Sequence, residues 1–181
     1  MKLLKKLEQQ QSHIIKEWIE CVNKTYPAET TRFLGRVKDA FDNPIGHANY
    51  QSLEGVVKSL SKGWDIEELK KTLDSIIRVR AVQSFTSSEA VAFVYDLKKI
   101  VFKQLKDEQK NSQFWEEWLA FEAKIDELAL IAFDKYMECR EKIYQIKASE
   151  EKNRTFRAFE RAGLVREIPQ ELEPGPHNSS F

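Results

Sequence analysis

Residues 115–147 read WEEWLAFEAKIDELALIAFDKYMECREKIYQIK, and the rhythm of this stretch decides the fold. Trp115, Trp118, Leu119, Ile125, Leu128, Ala129, Ala132, Phe133, Tyr136, Ile143 and Tyr144 recur at intervals of three and four, with Glu122, Arg140 and Lys147 in register. That spacing places them along one stripe of a 3.6-residue turn, the signature of a helix. Neither glycine nor proline interrupts the chain from Asn111 to Ala162. Even forty residues of such a helix span about 60 Å at about 1.5 Å per residue. A compact domain of this chain length has a radius of gyration of only about 16 Å. The later part of the stripe therefore needs a partner, and a second copy of the same chain is the simplest one. Tyr136, Arg140, Ile143, Tyr144 and Lys147 are the expected dimer seam.

Outward from this rod, the remaining sequence reads as shorter helices. Leu4, Leu7, Ile14, Ile15, Trp18, Ile19 and Val22 predict a first helix from near Lys2 to Tyr26, ended by Pro27, because proline disfavours helical backbone in the residue before it. The connector Ala28–Phe41 is too apolar for a free linker and suits a short helix or a tight turn. Asn43 then reads as a cap with Pro44 at the first helical position. His47, Tyr50, Leu53, Val57 and Leu60 mark a helix to about Lys62, with Gly63 as its stop. Asp65 and Glu68 suggest a variant capping box before Ile66, Leu69, Leu73, Ile76 and Ile77. Thr86 and Glu89 form a cleaner one before Val91, Val94, Leu97, Ile100, Val101 and Leu105. Polar residues 106–113 read as a loop, and Gln170–Phe181, with its prolines and serines, as a disordered tail.

Composition narrows the function. Twenty-nine basic residues offset twenty-nine acidic ones, so the net charge is zero and the basic surplus that drives nucleic-acid binding is missing. Six glycines and five prolines favour long helices over many turns. No apolar run reaches a membrane-spanning length, and the start of the chain turns polar too soon for a secretion signal. The expected location is the cytoplasm, with Cys21 and Cys139 as reduced thiols. No spacing supports a zinc site, a nucleophile elbow or a phosphate-binding glycine loop. The reading is a non-enzyme with no cofactor and no metal.

Three places remain as candidate sites. His47 follows an apolar pattern; it is a structural or cap-region histidine, or the ligand of a bound group such as haem. Arg78 and Arg80 interrupt the apolar run Ile76–Val82, so at least one lies near the core edge. A buried guanidinium needs a carboxylate or several carbonyls, and Asp96, Asp126, Glu127 and Asp134 are the candidate partners. Such an arginine is a polar tie between helices or an anion sensor. Finally, Phe156 and Phe159 stand three apart in the basic run Lys152–Arg161. They form an amphipathic end that docks on a protein partner, or an incidental part of a loose tail.

Several of these segments resemble the RsbRD N-terminal domain family. The likeness lies in Tyr26–Thr30, in Lys38–His47 with its Phe41-Asp42-Asn43-Pro44-Ile45-Gly46-His47 core, in Ile77–Gln83, and in Ala132–Tyr144; it covers about Leu7 to Ala148. The resemblance implies an input domain related to the RsbT co-antagonists of bacterial stress signalling. Such domains are globin-like without haem, dimerise through their last helix and pass signals to a C-terminal STAS domain. The chain looks like a stand-alone member lacking the STAS domain. Members of that kind are expected beside membrane-bound electron-transfer genes, which links the resemblance to redox-energy signalling.

The expectation is thus an all-α, globin-like domain of five or so helices with a very long C-terminal helix. Residues 1–150 form the domain, 151–166 a helix extension or short amphipathic helix, and 167–181 a disordered tail. The function expected is a dimeric regulatory module that contacts an unidentified protein partner, with neither nucleic acid nor membrane insertion. The alternative is a small-ligand or haem-binding sensor.

Overall fold

Apolar residues at helical spacing leave room for little else: among the residues that the computed structural model describes (2–34, 43–62, 64–83 and 85–165), every regular element is a helix. They are α1 (Lys2–Gln9), α2 (Gln11–Lys24), α3 (Ala28–Leu34), α4 (Pro44–Lys62), α5 (Ile66–Val82), α6 (Ser87–Gln104), a 3-10 turn (Lys106–Lys110) and α7 (Ser112–Arg161). The all-α class with a very long last helix is as expected from the sequence. The number of helices is larger than expected, because the first predicted helix is two. It breaks at Gln10, where φ is −99° and ψ is 7°. From Glu8 to His13 no side chain is buried, so no core contact holds that stretch to a single axis. Residues 35–42, Gly63 and the tail from Arg166, including His177, lie outside the described residues. The glycine stop and the disordered tail fall there.

Local signals place the helix starts. The Asn43 side chain accepts the Gly46 N–H at 2.8 Å, as a cap does. A Cβ on Gly46 would collide with that same amide, which explains a glycine three residues after the cap. Asp65 accepts from the Glu67 and Glu68 N–H groups at 2.9 and 3.2 Å. At α6 the capping box is complete: the Thr86 N–H donates to the Glu89 carboxylate at 2.9 Å, and the Glu89 N–H donates back to the Thr86 hydroxyl at 3.3 Å.

The chain divides into two units, Met1–Lys142 and Ile143–Phe181. The first owns the core. Leu7, Ile14, Trp18, Val22, Leu53, Val57, Leu69, Leu73, Ile76, Val94, Leu97, Phe121, Ile125 and Leu128 are all buried there. The α4 and α5 backbones approach closely at Gly55, where a Cβ would lie 2.5 Å from Thr72 Cγ2. Ser52 and Ser75 pair their hydroxyls at 3.0 Å across the same contact. Polar ties cross between elements: Lys103 donates to Glu17 at 2.7 Å, Lys98 to Asp126 at 2.8 Å, and the Leu3 N–H to Glu117 at 2.8 Å. Hydrogen bonding by Lys103 holds the Glu17 carboxyl below its ordinary range.

The second unit differs in kind. Ile143 is half-buried, and every residue from Tyr144 to Val165 is exposed. Helical order there has no core beneath it. A chain cut after Lys142 is therefore expected to keep cooperative unfolding, with a midpoint lowered by less than about 3 °C, since only the half-buried Ile143 is lost from apolar burial. Circular dichroism melting checks this, and loss of the transition would contradict it.

Candidate functional site

Helix α5 carries the two arginines on different faces. Leu73, Ile76, Ile77, Arg80 and Ala81 continue one buried stripe, whereas Arg78 is exposed. Arg78 Nε meets Asp74 at 2.6 Å, and the same carboxylate takes Lys135 of α7 at 3.0 Å. Burial raises the Asp74 pKa, but the hydrogen bonds of Lys135 and Arg78 outweigh it and keep the carboxyl low. Arg78 is thus one half of a surface bridge.

Arg80 is fully buried. Its Nη2 donates to the Thr25 hydroxyl at 2.9 Å and its Nη1 to the Glu89 carbonyl at 3.2 Å. The guanidinium carbon lies 5.5, 4.8 and 4.9 Å from the ring centres of Tyr26, Phe85 and Phe93, within reach of the attraction between a cation and an aromatic face. The expectation of a carboxylate partner is corrected here. Asp126 pairs with Lys98, and among the described residues no carboxylate bridges Arg80. Carbonyl, hydroxyl and three rings take its place. Burial works against the Arg80 charge, while Tyr26 and Asp96 favour it. Tyr26 acts by electrostatic attraction and by a side-chain hydrogen bond to Arg80, while Gln83 Oε1 is buried without a hydrogen-bond partner.

A cleft of about 440 Å³ opens beside this arginine, lined by Thr25, Tyr26, Pro27 and Thr30 on one side and by Gln83, Phe85 and Glu89 on the other. Its second wall, the turn between α5 and α6, is tied to α7 twice. The Tyr136 hydroxyl donates to the Phe85 carbonyl at 2.8 Å, and Arg140 Nη1 donates to the Ala81 carbonyl at 3.0 Å.

These two bonds engage two of the five expected seam residues. Tyr136 is 4% exposed and, with Arg140, is engaged inside the first unit. Ile143 is half-buried; Tyr144 and Lys147 are exposed in the second unit, as are Phe156 and Phe159. A row on α7 faces solvent instead: Leu119 (65% exposed), Leu130 (66%), Phe133 (40%) and Met137 (39%). Their offsets of eleven, three and four are those of a heptad seam. Leu119 and Phe133 belong to the stripe read from the sequence, and Leu130 and Met137 widen it on its solvent side.

His47 stands half-buried in the first turn of α4, its backbone N–H bonded to the Asn43 carbonyl at 3.0 Å. It shares no hydrogen bond or ion pair with Arg78 or Arg80. Among the described residues, no group of three or more His, Cys, Asp or Glu side chains is placed to hold a metal ion, and no helix is long and apolar enough to cross a membrane. Cys21 and Cys139 are free and half-buried, and burial pushes both thiols up from their ordinary pKa.

In comparison with known proteins, the profile of the RsbT co-antagonist protein rsbRD N-terminal domain matches residues 12–150. No curated protein and no solved structure matches the chain.

Proposed function

The chain belongs to the RsbT co-antagonist protein rsbRD N-terminal domain family, and from that premise we propose that it is a non-catalytic regulatory input module. It acts in the cytoplasm as a homodimer and hands its state to a protein partner in bacterial stress or redox-energy signalling. The observation that carries this reading is the solvent-facing row of Leu119, Leu130, Phe133 and Met137 on α7. Exposed apolar side chains at heptad spacing suit a helix–helix seam. An identical stripe on a second copy fits about a two-fold axis without any further component.

Signal transfer then has a physical route. The turn between α5 and α6 is bonded to α7 through Tyr136 and Arg140, so a change at that turn biases the helix that pairs. Such a bias shifts an equilibrium only by the difference in interaction between two states. Exposed Phe156 and Phe159 supply apolar anchors three residues apart for the downstream partner.

Light scattering on the eluting protein tests the dimer. The expected mass is twice the 21.2 kDa of one chain, and a monomer at about 100 µM, an affinity too weak for a working dimer, overturns the reading.

A further inference from the structure

We infer that the cleft beside Arg80 binds a small organic anion: a carboxylate carried on a compact apolar or aromatic body. The proposal deepens the input-module reading, because it supplies the input.

Three independent features of the cleft point to this ligand. The first is charge. Arg80 is fully buried without a bridging carboxylate among the described residues, and its Nη2 is bonded to the hydroxyl of Thr25, which lines the cleft. A cation held in low dielectric is screened less than one in water, so its field extends to Thr25, whose hydroxyl accepts from Arg80 and donates to the Val22 carbonyl at 2.7 Å. Glu89 also lines the cleft, with the opposite sign. Its carboxylate, however, is committed to the Thr86 N–H and hydroxyl at 2.9 and 2.8 Å and is exposed to solvent, where water and salt weaken its repulsion.

The second feature is polarity in the wall. Tyr26 and Gln83 line the cleft, the Gln83 Oε1 is buried without a hydrogen-bond partner, and Tyr26, more than nine-tenths buried, supports the Arg80 charge behind it. An orphaned buried oxygen costs stability unless something meets it.

The third is shape and apolar surface. Tyr26 and Phe85 meet edge to face with ring centres 5.5 Å apart, and Pro27 adds an aliphatic face. About 440 Å³ lies within the range of small-molecule sites, which are mostly apolar with a few placed polar groups. The anion is therefore set at the end of the cleft nearest the Arg80 charge, and the apolar body against Tyr26, Pro27 and Phe85. Because the Phe85 carbonyl accepts the Tyr136 hydroxyl, occupancy is felt on α7.

Benzoate is a suitable probe, with neutral benzamide and cationic benzylamine of similar shape as controls. A nine-atom anion in a partly open cleft binds at about 1 mM. At about 10 mM it is expected to raise the thermal midpoint of the full chain by about 3 °C, and benzamide and benzylamine should not. Arg80→Gln is expected to abolish the shift. Thr30→Trp, which fills the mouth and leaves Arg80 in place, is expected to abolish it too, and this variant decides the matter where Arg80→Gln fails to fold. No benzoate shift, an equal shift with benzamide, or an undiminished shift in Thr30→Trp would each overturn the site. Light scattering reports the dimer separately, so a monomer that still responds to benzoate removes the dimer and leaves the ligand.

Discussion

Replacing Leu130 and Met137 together by glutamate is expected to weaken self-association at least about 100-fold, roughly 3 kcal/mol. The reasoning runs from exposure. Leu130 is 66% and Met137 39% exposed in the single chain, so the substitutions cost the protomer little. In a seam the same side chains are covered, and burying a Leu or Met side chain is worth about 1.5–3 kcal/mol. A two-fold axis counts each change twice and brings four carboxylates into one apolar strip. Light scattering over a dilution series reads the affinity, and circular dichroism confirms that helix content is kept. A double variant that stays dimeric while folded would place the interface elsewhere.

How far the sequence could be read follows from how local each feature is. Thr86 with Glu89, and Asn43 with Pro44 and Gly46, act within one turn of backbone, so both helix starts were legible from a few letters. Gln10 was not, because the break there depends on which side chains the rest of the chain covers. The class and the long last helix follow from an uninterrupted period, which carries its own evidence over many turns. The family resemblance, drawn from four short segments, agrees with the profile match over residues 12–150.

The site was legible only in outline. That Arg78 or Arg80 should approach the core follows from the apolar run around them, and the spacing Leu73, Ile76, Ile77, Arg80 singles out the second in hindsight. Its surroundings do not follow, since Thr25, Tyr26, Phe85, Phe93 and Glu89 come from α6 and from the segments flanking α2 and α6. A search for carboxylates misses a cage of rings and carbonyls because cation–aromatic attraction leaves no charge pattern in the chain. The expected seam was only partly legible, for a different reason. Tyr136 and Arg140 are bonded within the first unit, and Leu119, Leu130, Phe133 and Met137 form a solvent-facing row on the flank of that stripe. One wide apolar stripe blurs its covered and solvent-facing flanks in any single-face reading.

Trp18→Ala is expected to cost about 4 kcal/mol, a large share of the roughly 5–15 kcal/mol that holds a domain folded. Trp18 is fully buried, its ring centre is 6.0 Å from that of Phe93, and its Nε1 donates to the Phe93 carbonyl at 2.7 Å. Alanine removes the ring and the hydrogen bond together and leaves a cavity between α2 and α6. Trp18→Phe separates the two losses: most of the packing stays, and the missing hydrogen bond costs about 1 kcal/mol. The difference between the variants also bears on the arginine, because the Phe93 ring that Trp18 supports is one of the three faces around Arg80. In the alanine variant the benzoate shift should fall along with stability; in the phenylalanine variant it should persist. Urea unfolding of both, with and without benzoate, measures this. A loss below about 1.5 kcal/mol for Trp18→Ala, less than packing deletions in a rigid core give, would mean that α2 and α6 do not depend on Trp18 as the core implies.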